Sequence, residues 1–217
     1  MFSPEARVLS VNVTAVVHEG EWTGDVGRTG IDKRPVTAPV LLADDAVEGD
    51  VVADRKNHGG YDQAVYAYAR EDADWWEKEL GVVLTYGKFG ENLTSQGIEV
   101  SGAVIGERWS IGSAILEVSQ HRTPCRVFAG FWERPNLIKE FTDAGRPGAY
   151  LRIIQEGRVC VGDAIVVAEI PAHGITVADL FAARGEERFQ IFERLTGADT
   201  SETVNVWAKR MLIRKSY

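Results

Sequence analysis

Between residues 7 and 15 the chain reads Arg-Val-Leu-Ser-Val-Asn-Val-Thr-Ala, in which Val8, Ser10, Asn12 and Thr14 alternate with Leu9, Val11, Val13 and Ala15. Successive side chains of a strand point to opposite faces, so this period of two commits the stretch to β structure. Further short runs of strand type lie at residues 38–43, 49–54, 64–69, 108–111, 114–119, 149–154 and 164–170, separated by Gly, Asn and Asp turns. Many short strands with such punctuation specify a mainly β protein, and the expectation is a closed or nearly closed barrel. Gly106-Glu107-Arg108 and Val161-Gly162-Asp163 read as turns that lead into strands.

Helical texture interrupts the pattern at residues 71–80, stopped by Gly81, and at 135–142, stopped near Gly145; both are expected to cover the barrel, with Trp75-Trp76 as an anchor. After Pro171 the texture turns helical at residues 177–183, 186–195 and 202–213, with Thr176 and Ser201 as N-caps. A chain of 217 residues has room for one sizeable core and an appendage. The division expected is a β-barrel domain over residues 1–171 and a three-helix domain over 172–217.

The composition, 45% hydrophobic and 26% charged with no apolar run of membrane-spanning length, excludes an integral helical membrane protein. The start, Met1 to Arg7, carries no basic region followed by an apolar one, so a cytoplasmic location is expected. A formal net charge of −8 argues against binding a nucleic-acid polymer, whose phosphates need a dominant basic face, while leaving room for a local basic pocket. Cys125 and Cys160 form no C-x-x-C pair, and no protein-only zinc spacing is present.

Four segments carry chemistry. Asp54 to Asp62 packs Arg55, Lys56, Asn57, His58, Gly59 and Gly60 into one loop, where glycines let backbone N–H groups approach an anion and arginine forks grip phosphate; an ordinary polar hairpin is the alternative. Lys33-Arg34, held by Pro35, is either a second cationic pair for the same anion or a solvated loop. Glu91-Asn92 after Gly90 offers an amide for a heterocycle, or a turn into a strand. Cys125 lies between Arg122 and Arg126 behind the stiff Pro124, so its thiolate should be favoured by positive charge; the alternative is a buried small hydrophobe. Cys160, in an apolar setting, reads as structural.

The order of these segments, Thr29 to Pro35, Asp54 to Asp62, Phe89 to Leu93 and Ser119 to Cys125, resembles the MOSC family (molybdenum cofactor sulfurase C-terminal domain), and within it the bacterial YiiM-like branch. The likeness runs over about residues 8 to 170, and the tail is similar to the three-helix domain of that branch. The resemblance implies a MOSC-type β-barrel similar to that of pyruvate kinase, and molybdenum cofactor (molybdopterin) as the bound group. It implies Cys125 as the molybdenum ligand. Lys33, Arg34, Arg55, His58 and Arg122 would neutralise the phosphate and pterin edge; Asn57, Gly59, Gly60, Glu91 and Asn92 complete the cofactor-binding set. His121 is a catalytic candidate as proton donor, with a surface position as the alternative.

Family members resemble reductases of N-hydroxylated compounds, namely hydroxylamino bases, amidoximes and hydroxamates. Without an iron–sulfur or dinucleotide motif, such an enzyme needs an external electron-donor protein, and the tail would dock it or simply pack on the barrel. The basic end, Lys209, Arg210, Arg214 and Lys215, would serve the same docking or cap a helix. Two other functions stay open: a persulfide sulfur carrier using Cys125, and a non-catalytic cofactor-binding module.

Overall fold

The structure is a computed structural model that describes residues 5–197 and 200–214, the last by its backbone alone. Met1 to Pro4, part of the segment read for a signal, and Lys215 of the basic end lie outside the described residues. The strands are β1 (Arg7–Glu19), β2 (Arg28–Val36), β3 (Val40–Ala43), β4 (Ala46–Val47), β5 (Val65–Ala69), β6 (Leu93–Gln96), β7 (Arg108–Ile111), β8 (Ala114–His121), β9 (Ala149–Gln155), β10 (Gly157–Val159) and β11 (Ile165–Glu169). The helices are α1 (Arg70–Leu80), α2 (Arg126–Phe131), α3 (Leu137–Ala144), α4 (Val177–Ala182), α5 (Gly185–Arg194) and α6 (Glu202–Arg214).

Eight strands form one sheet in the order β11-β7-β8-β9-β5-β6-β1-β2, and β10-β3-β4 form a second. Only β5 and β6 among the main-sheet neighbours run parallel, joined through the crossover helix α1. The expected closed barrel is corrected: β11 and β2 are free edges of an open, curled sheet. Its ends approach where β1 meets the segment ahead of β11, through one bridge, Arg7 to Ala164, and backbone bonds such as Val8 N–H to Asp163 O at 2.9 Å. Strand pairing stops there, so no continuous ladder closes the ring.

Two local readings change as well. Residues 49–54 form no strand: Thr14 replaces a neighbouring strand as their partner, accepting the Val51 N–H at Oγ1 and giving its own N–H to Asp50 Oδ1. Residues 28–36, left between a loop and a cationic pair, are a strand held by antiparallel register with β1 from Val11–Val36 to Glu19–Arg28. Charged side chains at 32–34 hide its alternation from an apolar pattern.

The helices cover the sheet as their residue types require. Trp76 is buried, stacks on Phe141 at 6.1 Å and donates its indole N–H to the Tyr68 hydroxyl at 3.0 Å, the anchoring expected of it. Gly81 and Gly145 end α1 and α3 in the left-handed conformation. Thr176 and Asp179 make a reciprocal capping box on α4, while Val204 N–H donates to Ser201 Oγ ahead of α6. Helices of this length are marginal alone. Val177, Leu180, Phe192, Val204 and Trp207 bury themselves in the same apolar cluster as Val11, Leu116 and Leu151 of the sheet. Each such side chain contributes about 1.5–3 kcal/mol.

Candidate functional site

The rim of the sheet at the start of β5 and β9 and the end of β8 gathers the site. Gln120 pairs with Tyr150 and Tyr150 with Tyr66 across adjacent strands, and one residue further along Ala67 lies opposite Leu93 and Leu93 opposite Val11. Above this row a cavity opens between β2, the 50–63 loop and the turn into α2. Its walls include Lys33, His58, Gly59, Asn92, Arg122 and Cys125, together with Asp50, Gln63, Tyr66 and Tyr150. Gly59 and Gly60 both have φ of +74°, a conformation that makes the tight turn carrying His58 into the cavity wall.

Cys125 is the N-cap of α2, a helix the sequence reading missed because it lasts only six residues. Burial pushes its thiol pKa up, but donation from His58, the Arg122 guanidinium, the Phe128 N–H and the His58 charge outweigh it, bringing it down from 9.0 to about 7. The expected pair of flanking arginines is half right. Arg126 is 67% exposed and points to Asp25 at 3.9 Å, so the second favourable neighbour is His58, brought from a distant loop. Cys160 behaves oppositely: its Sγ donates to Asp163 Oδ1 at 3.3 Å, and that carboxylate raises its pKa.

Arg122 is the unusual charge of the site. It is 7% exposed, lies over the Phe128 ring at 4.1 Å, and has no carboxylate partner among the described residues. Its Nη1 is buried without a hydrogen-bond partner. A buried cation with an unfilled donor carries a large desolvation cost, which an anion in the cavity would offset. The Lys33 side chain, 10% exposed, is neutralised by Asp50. Asp50 in turn accepts from Thr14 Oγ1 at 2.8 Å and Asn92 Nδ2 at 3.0 Å, and Lys33 with these bonds lowers its pKa against burial.

The remaining candidates divide. Arg34, next to Lys33 on a strand, points to the opposite face, 62% exposed and paired with Asp32 at 3.0 Å. Glu91 is buried outside the cavity and spends its oxygens on the Gly87 and Phe89 N–H groups and Thr94 Oγ1. The Asn92 amide is taken up by Tyr66 N, Asn12 O and Asp50, so it braces the scaffold. Arg55 and Asn57 are exposed on a neighbouring groove, Asn57 donating its amide N–H to Asp54. His121 is not in the cavity wall: it is buried against Phe181 and accepts at Nε2 from Arg188 at 3.1 Å. Burial, Arg188 and Arg184 lower its pKa to about 4, so it is neutral near pH 7 with its proton on Nδ1.

Asp50, Gln63, Tyr66 and Tyr150 were not singled out in the sequence. Asp50 had a signal, the turn pair Gly49-Asp50, which the strand reading of 49–54 overrode. Gln63 and the tyrosines sit within or beside apolar strand runs, where nothing in the sequence separates a cavity wall from a core.

A mainly β protein with a reactive thiol beside an unpaired buried cation is thus the class defined by fold and site. The MOSC domain model matches residues 54–166, more than half of the chain. The Bacillus subtilis protein YflK is 36% identical over 157 residues, 72% of this chain and 71% of that protein. The chain belongs to the MOSC domain family, which includes molybdenum-cofactor-binding proteins. Escherichia coli YiiM is 30% identical over 134 residues, 60% of each chain. The crystal structure of YiiM from Geobacillus stearothermophilus superposes with a TM-score of 0.73 at 26% identity, covering 95% of this chain and 99% of that one. A protein of Gibberella moniliformis named a reductase is 28% identical over 173 residues, 78% of this chain but 30% of that protein. Among the described residues no helix is long and apolar enough to cross a membrane.

Proposed function

We propose that the protein is a molybdenum-cofactor-binding oxidoreductase that reduces N-hydroxylated compounds, with the Cys125 thiolate as the protein's ligand to molybdenum. The observation that carries this reading is the buried Arg122, whose Nη1 faces no partner beside a thiol of pKa about 7. A soft thiolate and an unpaired guanidinium are the donor set that an anionic metal dithiolene asks for, so the residues fit the group. Cys125 would hold the metal, and Arg122 would neutralise the cofactor's negative edge.

When bound, the cofactor supplies a two-electron couple for cleaving an N–O bond. The chain's own part is to ionise Cys125 near neutral pH, through His58, Arg122 and the start of α2. The tyrosine-lined inner wall, Tyr66 and Tyr150, keeps water from the cation. His58, in the cavity wall, takes the proton-handling role that the sequence offered to His121. Electrons come from an external donor protein. The reductase name of the Gibberella relative supports the same reaction class.

The test supplies cofactor-loaded protein with reduced viologen and a hydroxylamino base, an amidoxime or a hydroxamate. Wild type should form the amine, amidine or amide while Cys125→Ala does not. Loaded wild type that reduces none of the three overturns the reading.

A further inference from the structure

Beside the cavity a groove runs between the 54–63 loop and α6, lined by Arg55, Lys56, Tyr61, Gln120, Arg210 and Met211. His58, Gly59 and Gln63 wall both spaces, so the groove continues the cavity outward. Its available charge has one sign. The exposed Arg55 and Lys56 have no carboxylate partner among the described residues, whereas the acids of the loop itself, Asp54 and Asp62, are committed. Asp54 accepts from Asn57, and Asp62 accepts from the fully buried Arg152 at 2.8 Å and from Arg210 at 3.2 Å. At the junction of groove and cavity, Gln63 Oε1 is buried with no donor to fill it.

We propose that this groove is a phosphate subsite for the substrate, and that the preferred substrate is the phosphomonoester of an N-hydroxylated nucleoside. The inference rests on the reductase reading and names the substrate class for the same site. The phosphate lies on Arg55 and Lys56, a guanidinium and an ammonium suited to its oxygens. A sugar hydroxyl donates to Gln63 Oε1 at the junction, and the N–O end reaches the cavity at Cys125. A free base would leave both the cations and the Gln63 acceptor unfilled.

The test is calorimetric binding of N6-hydroxyadenosine and of its 5′-monophosphate to cofactor-loaded protein, read without turnover. The monophosphate should bind at least about tenfold more tightly, with the advantage shrinking in high salt because the subsite is exposed. Arg55→Ala/Lys56→Ala should abolish the advantage with an unchanged circular dichroism spectrum. Equal binding of the two ligands overturns the proposal, as does an advantage that survives in the double variant. An advantage seen only in cofactor-free protein also overturns it, because the groove would then hold the cofactor's own phosphate. Absent turnover with the preference intact would refute the reductase reading while supporting the subsite.

Discussion

His58→Ala removes the strongest of the influences that acidify Cys125, and its consequence can be followed in one chain. The thiol lies at about 7 against an ordinary 9.0, so at pH 7 about half of Cys125 is thiolate where an unperturbed thiol would be about 1% ionised. Burial opposes ionisation, and His58 counters it twice, by hydrogen bond and by charge, leaving Arg122 and the Phe128 N–H in the variant. Returning the thiol toward its ordinary value cuts the thiolate fraction at pH 7, by up to about fiftyfold if the whole shift is lost. The rate of iodoacetamide alkylation falls somewhat less, since a more basic thiolate is a better nucleophile. The assay is the pH dependence of alkylation at each cysteine, resolved by peptide mass spectrometry. Cys160 serves as internal control, because Asp163 holds its thiol above the ordinary value. The reasoning is refuted if wild-type Cys125 titrates near 9, or if His58→Ala leaves its profile where it was.

Other perturbations test the surrounding charges. The unfolded His121 takes up a proton near 6.5 and the folded one only near 4, so acid favours unfolding between those values, by about 3 kcal/mol at the low end. Urea unfolding at pH 7 and pH 4.5 should show a smaller acid penalty in His121→Leu than in wild type; equal penalties would remove His121 as the cause. Lys33→Met strands the Asp50 carboxylate, 5% exposed, and should cost about 3–5 kcal/mol, while Arg34→Ala, which removes an exposed guanidinium, should cost far less. Similar losses from the two would contradict their opposite placement. Arg122→Met removes a buried cation without orphaning a carboxylate, so the melting temperature should hold or rise while cofactor retention falls. A large drop in melting temperature would make Arg122 a structural residue.

The β1 alternation and the caps at Gly81, Gly145 and Thr176 were legible because strand period and cap chemistry are local. Cys125 and Arg122 were legible as neighbours in sequence. What the sequence hid was set by partners far along the chain. His58 reaches Cys125 from a loop of another segment, Asp50 takes Lys33 out of the free-cation set, and burial with Arg188 beside it makes His121 a neutral packed side chain. Arg34 and Arg126 turn away from the cavity for one reason: adjacent residues need not share a face, and counting charges along the chain cannot say which one turns inward. Closure of the sheet was equally remote, depending on whether β1 meets the segment ahead of β11 over more than one bridge.

Molybdenum and pterin analysis of wild-type protein beside Cys125→Ser, both made in cofactor-sufficient cells, tests the central claim most directly. Wild type should carry close to one molybdenum and one pterin per chain, and Cys125→Ser should lose the metal while keeping its fold. Wild type isolated without molybdenum, or a Cys125→Ser variant that retains it fully, would contradict the account.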